Sequence, residues 1–261
     1  MKLKHILLFF GILIFNLVLS QDKIETSIQY KLEYKTDSLA NNYEVENFIL
    51  LANKEKAYFL STVSYVKDSL LVKSNNEITE EIRNLYTPND YYILLEPSKT
   101  LVQHFQPTNS TKIFYDSNPK FNWVLKNETK LIHGIKCRKA ITKQFGRKWE
   151  AWYTEEYPFP VGPYKFFGLP GLILKINDTK KYYNFEAFRI KKYKNKTFSL
   201  NTSQYLKTDA KKFWEVYNKD KYSLDPIFDT MEFEDESVKP TMKKNLQNQH
   251  KKDNNPLELT H

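Results

Sequence analysis

The sequence predicts a mainly β protein: a curved antiparallel sheet, partly open and barrel-like, with one or two helices near the C-terminus. Three observations carry this. Apolar and polar residues alternate with period two along several short runs, as at Ile28, Tyr30, Leu32 and Tyr34. Prolines 88, 97, 107 and 119 stand in or beside the breaks between runs, where a missing N–H ends pairing. The runs recur about every ten residues with no helical pattern between them, which argues for hairpins rather than βαβ units.

In order, strands are expected from Gln21 to Tyr34, Val45 to Leu51, Tyr58 to Val66, Tyr91 to Leu95, Leu101 to Phe105, Lys112 to Tyr115 and Phe121 to Leu125. A hairpin follows, Gly134 to Phe145 and Trp149 to Tyr153, with Gly146 in its turn. Leu172 to Ile176, Lys181 to Arg189 and Thr197 to Leu200 complete the set. Lys73 to Asn84 reads as a loop or short exposed helix. The period then changes: Ala210, Phe213, Trp214 and Tyr217 fall at i, i+3, i+4 and i+7, giving an amphipathic helix over 208–219 with Thr208 as N-cap. Residues 225–236 read as irregular and acidic, and 241–252 as a polar helix.

Residues 1–20 read as a secretory signal peptide: Lys2 and Lys4, an apolar stretch from Ile6 to Leu19, and a small-residue site at Val18-Leu19-Ser20. The apolar stretch falls short of the roughly 20 residues a spanning helix needs. Residues 21–261 then form a single β-rich domain, exported to the periplasm or associated with the outer membrane, with no transmembrane segment after cleavage. The one cysteine, Cys137, precludes an intramolecular disulfide and is expected to face the core as a small hydrophobe. The net charge of +9 is spread over lysine doublets mixed with acids, and no nucleic-acid-binding motif accompanies it.

The unusual backbone is concentrated in one window. Gly134, Gly146, Gly162, Gly168 and Gly171 are the only glycines after the leader. Tyr157-Pro158-Phe159-Pro160-Val161-Gly162-Pro163 cannot form a regular ladder, because three prolines remove donors. It is expected to cross the end of the sheet as a stiff aromatic loop. A type II turn should follow, with Pro170 at its second position and Gly171 at its third.

Gly168-Leu169-Pro170-Gly171-Leu172-Ile173 resembles the signature of the GLPGLI family. Companions to it are Gly134-x-x-Cys137-x-Lys139-Ala140, Gly146-Arg147, Ala151-Trp152-Tyr153-Thr154, Pro158, Gly162-Pro163-Tyr164-Lys165-Phe166 and Asn255-Pro256-Leu257-Glu258. The resemblance is strong over 131–176 and 254–259, with Tyr164 where that family often has Trp and Leu257 where Ile is usual. It implies an exported, Bacteroidetes-type cell-envelope protein of no established activity.

No catalytic constellation stands out. His104, His133, His250 and His261 lack paired ligand spacing, so no metal is signalled, and no motif calls for a cofactor. The strongest candidate is the loop at 157–173. Tyr157, Phe159, Tyr164, Phe166 and Phe167, with Trp152 beside them, would either dock a hydrophobic ligand or another envelope protein, or plug the open end of the sheet. On this reading the protein is a non-catalytic binding or assembly accessory. The competing reading is a hydrolase of glycan or cell-wall substrates using Glu150, Glu155 or Glu156 as acid–base groups, with Trp149 and Trp152 suited to stacking on a sugar.

Overall fold

Ile28, Tyr30, Leu32 and Tyr34 are buried along one face of a 13-residue strand, β1 (Asp22–Tyr34), in the computed structural model of the chain, which describes residues 21–224, 228 and 235–260. The leader expected over 1–20 and most of the acidic stretch at 225–236 fall outside those residues. From β1 a meander runs through β2 (Glu44–Ala52), β3 (Ala57–Ser61), β4 (Tyr92–Glu96), β5 (Leu101–Pro107) and β6 (Lys112–Ser117). A second meander runs through β7 (Val124–Ile132), β8 (Ile135–Gln144), β9 (Arg147–Thr154), β10 (Leu172–Asp178) and β11 (Tyr183–Phe198). Antiparallel pairing of β1 with β11 joins the two into one 12-stranded sheet of order β12-β6-β5-β4-β3-β2-β1-β11-β10-β9-β8-β7. The short β12 (Leu206–Lys207) pairs parallel to β6. β12 and β7 stand at opposite ends of that order, so the sheet is open.

The sheet is also strongly curved. His104 on β5 and Trp149 on β9 are seven strand spacings apart, roughly 34 Å if flat. They are linked by three ring-to-ring steps through Tyr164 and Phe166, of 6.3, 6.5 and 4.8 Å. On the inner face Tyr30, Phe48, Phe59 and Phe185 pack ring against ring. On the outer face Ile49, Leu51, Tyr58 and Leu60 form a second core with Tyr65, Tyr193 and Phe198. β2 reads as the continuous run Phe48-Ile49-Leu50-Leu51-Ala52 because both of its faces are covered there.

Several elements depart from expectation for local reasons. The apolar run at 58–66 is a strand only to Ser61, whose hydroxyl accepts from Ser64 N at 3.1 Å and starts helix α1 (Thr62–Lys73). A four-residue helix, α2 (Glu80–Arg83), lies in the stretch read as a loop or short helix. β7 begins at Val124 rather than Phe121, because Phe121 and Trp123 turn inward: Trp123 Nε1 donates to Phe167 O at 2.9 Å. β11 runs on unbroken into the region read as a separate strand at 197–200. Helix α3 (Ala210–Lys221) is capped by Asp209, one residue after the expected Thr208, with Lys212 N donating to its carboxylate at 2.8 Å. Its Phe213 is fully buried against Tyr115 of β6. The polar C-terminal helix is α4 (Val238–Lys252).

The turn at Pro170 is tighter than type II. Gly171 N donates to Leu169 O at 2.7 Å, and Leu172 N, which a type II turn would direct to Leu169, donates instead to Tyr157 O at 3.1 Å. Gly171 takes φ +146, and a Cβ there would lie 2.0 Å from Thr154 O. Close approach to β9 as well as backbone conformation therefore requires glycine. Gly171→Val should destabilise by about 3 kcal/mol or more, since backbone must move to admit the side chain; an unchanged urea midpoint would contradict this packing.

Asp68 of α1 accepts from Tyr92 Oη at 3.0 Å beneath the helix. Burial, opposed by that hydrogen bond and reinforced by Asp90, raises its carboxyl to about 6. The protonated form is thus favoured in the fold relative to the unfolded chain. Its stabilising contribution is present below about pH 4 and is lost as the pH rises through about 6. Melting temperatures taken between pH 4 and 7 should show this fall, and Asp68→Asn should flatten it.

Candidate functional site

The aromatic loop lies inside the curve of the sheet. Phe159, Phe166 and Phe167 are buried, and the backbone folds on itself through Gly168 N donating to Pro160 O at 2.9 Å and Ile173 N to Val161 O at 3.0 Å. Tyr30 Oη donates to Ile173 O at 2.7 Å, tying the loop's exit to the central strand. The six residues singled out from the sequence do not converge on one surface. Tyr157 is half-buried at the rim beside Lys192, and Trp152 points to the outer face of β9, 4.1 Å from Lys130 Nζ. Of the six, Tyr157 and Phe159 line a groove open to solvent, and Tyr164 lines a more enclosed cavity.

The candidate acids are likewise dispersed. Glu150 lies 3.5 Å from Lys139 Nζ, and Glu155 is exposed, 3.4 Å from Arg138 Nη1. Glu156 is exposed beside a shallow groove at Tyr157. Cys137 is fully buried and its thiol is pushed up to about 11 by burial, which makes it a core residue. His133 occupies the β7–β8 turn at φ +50. Among the described residues no group of three His, Cys, Asp or Glu side chains is placed to hold a metal ion.

The cavity opens between the inner face of the sheet, α3 and the segment at 253–258, with a volume of about 360 Å³. Tyr91, Tyr164, Trp214, Tyr217 and Tyr222 present rings to it, and Asn89, Gln106 and Asn218 present amides. Asp253 and Glu258 are its carboxylates, with Lys221 the cation at its rim. His104 forms part of the wall, with ring contacts to Tyr91, Tyr115, Phe213 and Trp214 at 4.8–5.8 Å.

Two buried charge clusters build this wall. Glu258 accepts from Lys165 Nζ at 2.5 Å and from the Tyr164 hydroxyl, while Lys165 Nζ also donates to Tyr115 Oη at 2.7 Å. Burial works against the Lys165 ammonium, but Glu258 and Tyr115 outweigh it and hold its pKa above the ordinary lysine value. Burial and the Glu258 charge push Tyr164 well above the ordinary phenol range, so it stands as a neutral donor. In the second cluster Arg147 donates to Asp178 at 3.3 Å, Asn255 Oδ1 at 2.6 Å, Pro256 O at 2.5 Å and Leu257 O at 2.9 Å. Asn255 in turn donates to Thr36 O and Lys35 O, and Tyr183 Oη donates to Asn255 O at 2.6 Å. The segment Asn255-Pro256-Leu257-Glu258 is therefore strapped across the end of β1, the β8–β9 turn and the loop.

The family described as "N-glycanase peptide, N-terminal domain" matches residues 32–213, from Leu32 near the end of β1 into α3. The chain belongs to this family. That match over most of the sheet overturns the GLPGLI resemblance, and with it the reading of a family of no known activity. The local motif behind that resemblance is explained by the tight turn at Gly171 and the strap held by Arg147. Two solved structures are similar in fold, titled "Structure of PNGF-II in P21 space group" and "Structure of PNGF-II in C2 space group". The first shares 17% identity at a TM-score of 0.54, over 76% of this chain and 34% of that one; the second shares 18% at 0.54, over 77% and 34%. The chain thus spans about a third of the length of those proteins. No curated protein matches it. No helix among the described residues is long and apolar enough to cross a membrane.

Glu258→Gln should leave Lys165 as a buried cation without its counter-charge, at about 3–5 kcal/mol in urea unfolding. The double variant Lys165→Met/Glu258→Gln should recover a large part of that loss; an additive result would contradict the pairing.

Proposed function

We propose that this chain handles glycans outside the cytoplasm, binding a saccharide in the cavity between the sheet, α3 and the strap. What carries the reading is the family match at 32–213, whose name is that of an N-glycanase domain; the cavity supplies a site of suitable chemistry. Its tyrosine and tryptophan rings offer apolar faces for the C–H side of a sugar, and its amides and carboxylates offer partners for hydroxyl groups. This is favoured over an assembly role for the 157–173 loop, most of whose rings are buried in the core.

A hydrolytic role is the second reading, favoured by the family name and by two carboxylates, Asp253 and Glu258, in one cavity. Both accept hydrogen bonds from lysine and tyrosine there, Asp253 from Lys221 Nζ and Tyr222 Oη at 2.8 Å. Glu150, Glu155 and Glu156 lie away from it.

The test uses an N-glycosylated protein and its released glycan. Calorimetry should detect binding of the glycan, weakened at least tenfold by Asn218→Trp, which fills the mouth from an exposed position. Mass spectrometry of the glycoprotein reads release. Release abolished by Asp253→Asn would support hydrolysis in the cavity, and release abolished by Glu155→Gln would move the chemistry to the outer acids. The absence of both binding and release would overturn the proposal. Cell fractionation tests the location, and a wholly cytoplasmic protein would contradict it.

A further inference from the structure

We infer that the site does not end with the first cavity but continues into a second one, so that the ligand is an oligosaccharide of several residues whose outer part rests on Tyr86. This rests on the saccharide reading of the first cavity. The second cavity has a volume of about 440 Å³ and lies between α1, the loop at 85–90, the β5–β6 turn and the facing sides of α3 and α4. Gln106, Tyr217, Lys221 and Tyr222 line both cavities, so these side chains are the partition between them. Each cavity alone stands near the small end of the roughly 300–1,000 Å³ common for ligand sites. A ligand crossing the partition would use both.

The partition is well ordered by its contacts. Tyr222 stacks on His250 of α4, with ring centroids 3.9 Å apart and planes 21° apart, and its hydroxyl donates to Asp253 at 2.8 Å. A rigid aromatic ledge between two hollows is suited to a sugar lying across it, with the neighbouring residues falling to either side.

The second cavity also has the mixed character that a sugar requires. Leu85, Pro88 and Leu246 supply apolar surface, while Thr87, Asp90 and Gln249 supply hydrogen-bonding groups. At its lip Tyr86 is 80% exposed, although the residue after the next is a proline that stiffens the loop. A ring held out in water beside a groove contributes nothing to the core; it is placed to receive the face of a ligand residue.

The experiment compares two probes by titration calorimetry: the disaccharide chitobiose and a full-length N-glycan released from a glycoprotein. The expected result is at least a tenfold higher affinity for the long glycan, with that gain lost in Tyr86→Ala, whose exposed position leaves the fold intact. Equal affinity for the two probes, or a gain that survives Tyr86→Ala, would overturn the extended site while leaving the first cavity as the saccharide site. Binding of neither probe would overturn both.

Discussion

A strand buries a face against something, and among the described residues no second sheet stands opposite the inner face of this open, curved one. The space is filled instead by a loop, which must bring apolar volume without presenting unpaired backbone polar groups. The segment from Tyr157 to Gly171 meets both demands. Its prolines have no N–H to satisfy, the amides of Phe159, Val161, Phe166, Gly168 and Gly171 bond within the loop, and its aromatic rings join those of both meanders. The close approach of Gly171 to Thr154 is the point at which this filling is attached to the ladder.

Filling a concave face with one loop leaves an unfinished edge, and the strap at 255–258 closes it with buried charge. Lys165 with Glu258, and Arg147 with Asp178 and Asn255, are each 7% exposed or less. Pairs of this kind do not make a fold more stable than a good apolar contact would, because desolvation offsets their attraction. Their demand for a matched partner is strict, so they determine where the strap lies. The cavity is the space left between that strap, α3 and the sheet, and its chemistry follows from the groups used to hold the strap.

Much of the sheet was legible in the sequence because alternation is a local signal. β1, β4, β5 and the β8–β9 hairpin stand where period two places them. α1 was not legible: Val63, Tyr65 and Val66 extend the β-like run of β3, and the Ser61 cap that redirects the chain is one serine among them. The loop aromatics could be seen, but their direction could not, since Trp152 and Phe166 differ in the face of the sheet they occupy rather than in composition. The cavity was missed because it joins Tyr91, Tyr164, Trp214 and Glu258, which are remote in sequence. One local trace existed. A lysine set among Tyr164, Phe166 and Phe167 has nowhere to go but into the core, and a buried ammonium needs a distant carboxylate.

The strap also bears on the order in which the chain acquires its structure. Residues 254–258 are synthesised after all twelve strands, so a nascent chain that has already formed the sheet holds Lys165 without Glu258, and Arg147 without the carbonyls of Pro256 and Leu257. Until those residues emerge, burying the loop means burying cations that lack their full set of partners. The inner face is therefore expected to stay loosely packed and accessible during translation, with firm closure in one late step, and a ribosome stalled before Asn255 would display an assembled sheet with an unsealed interior.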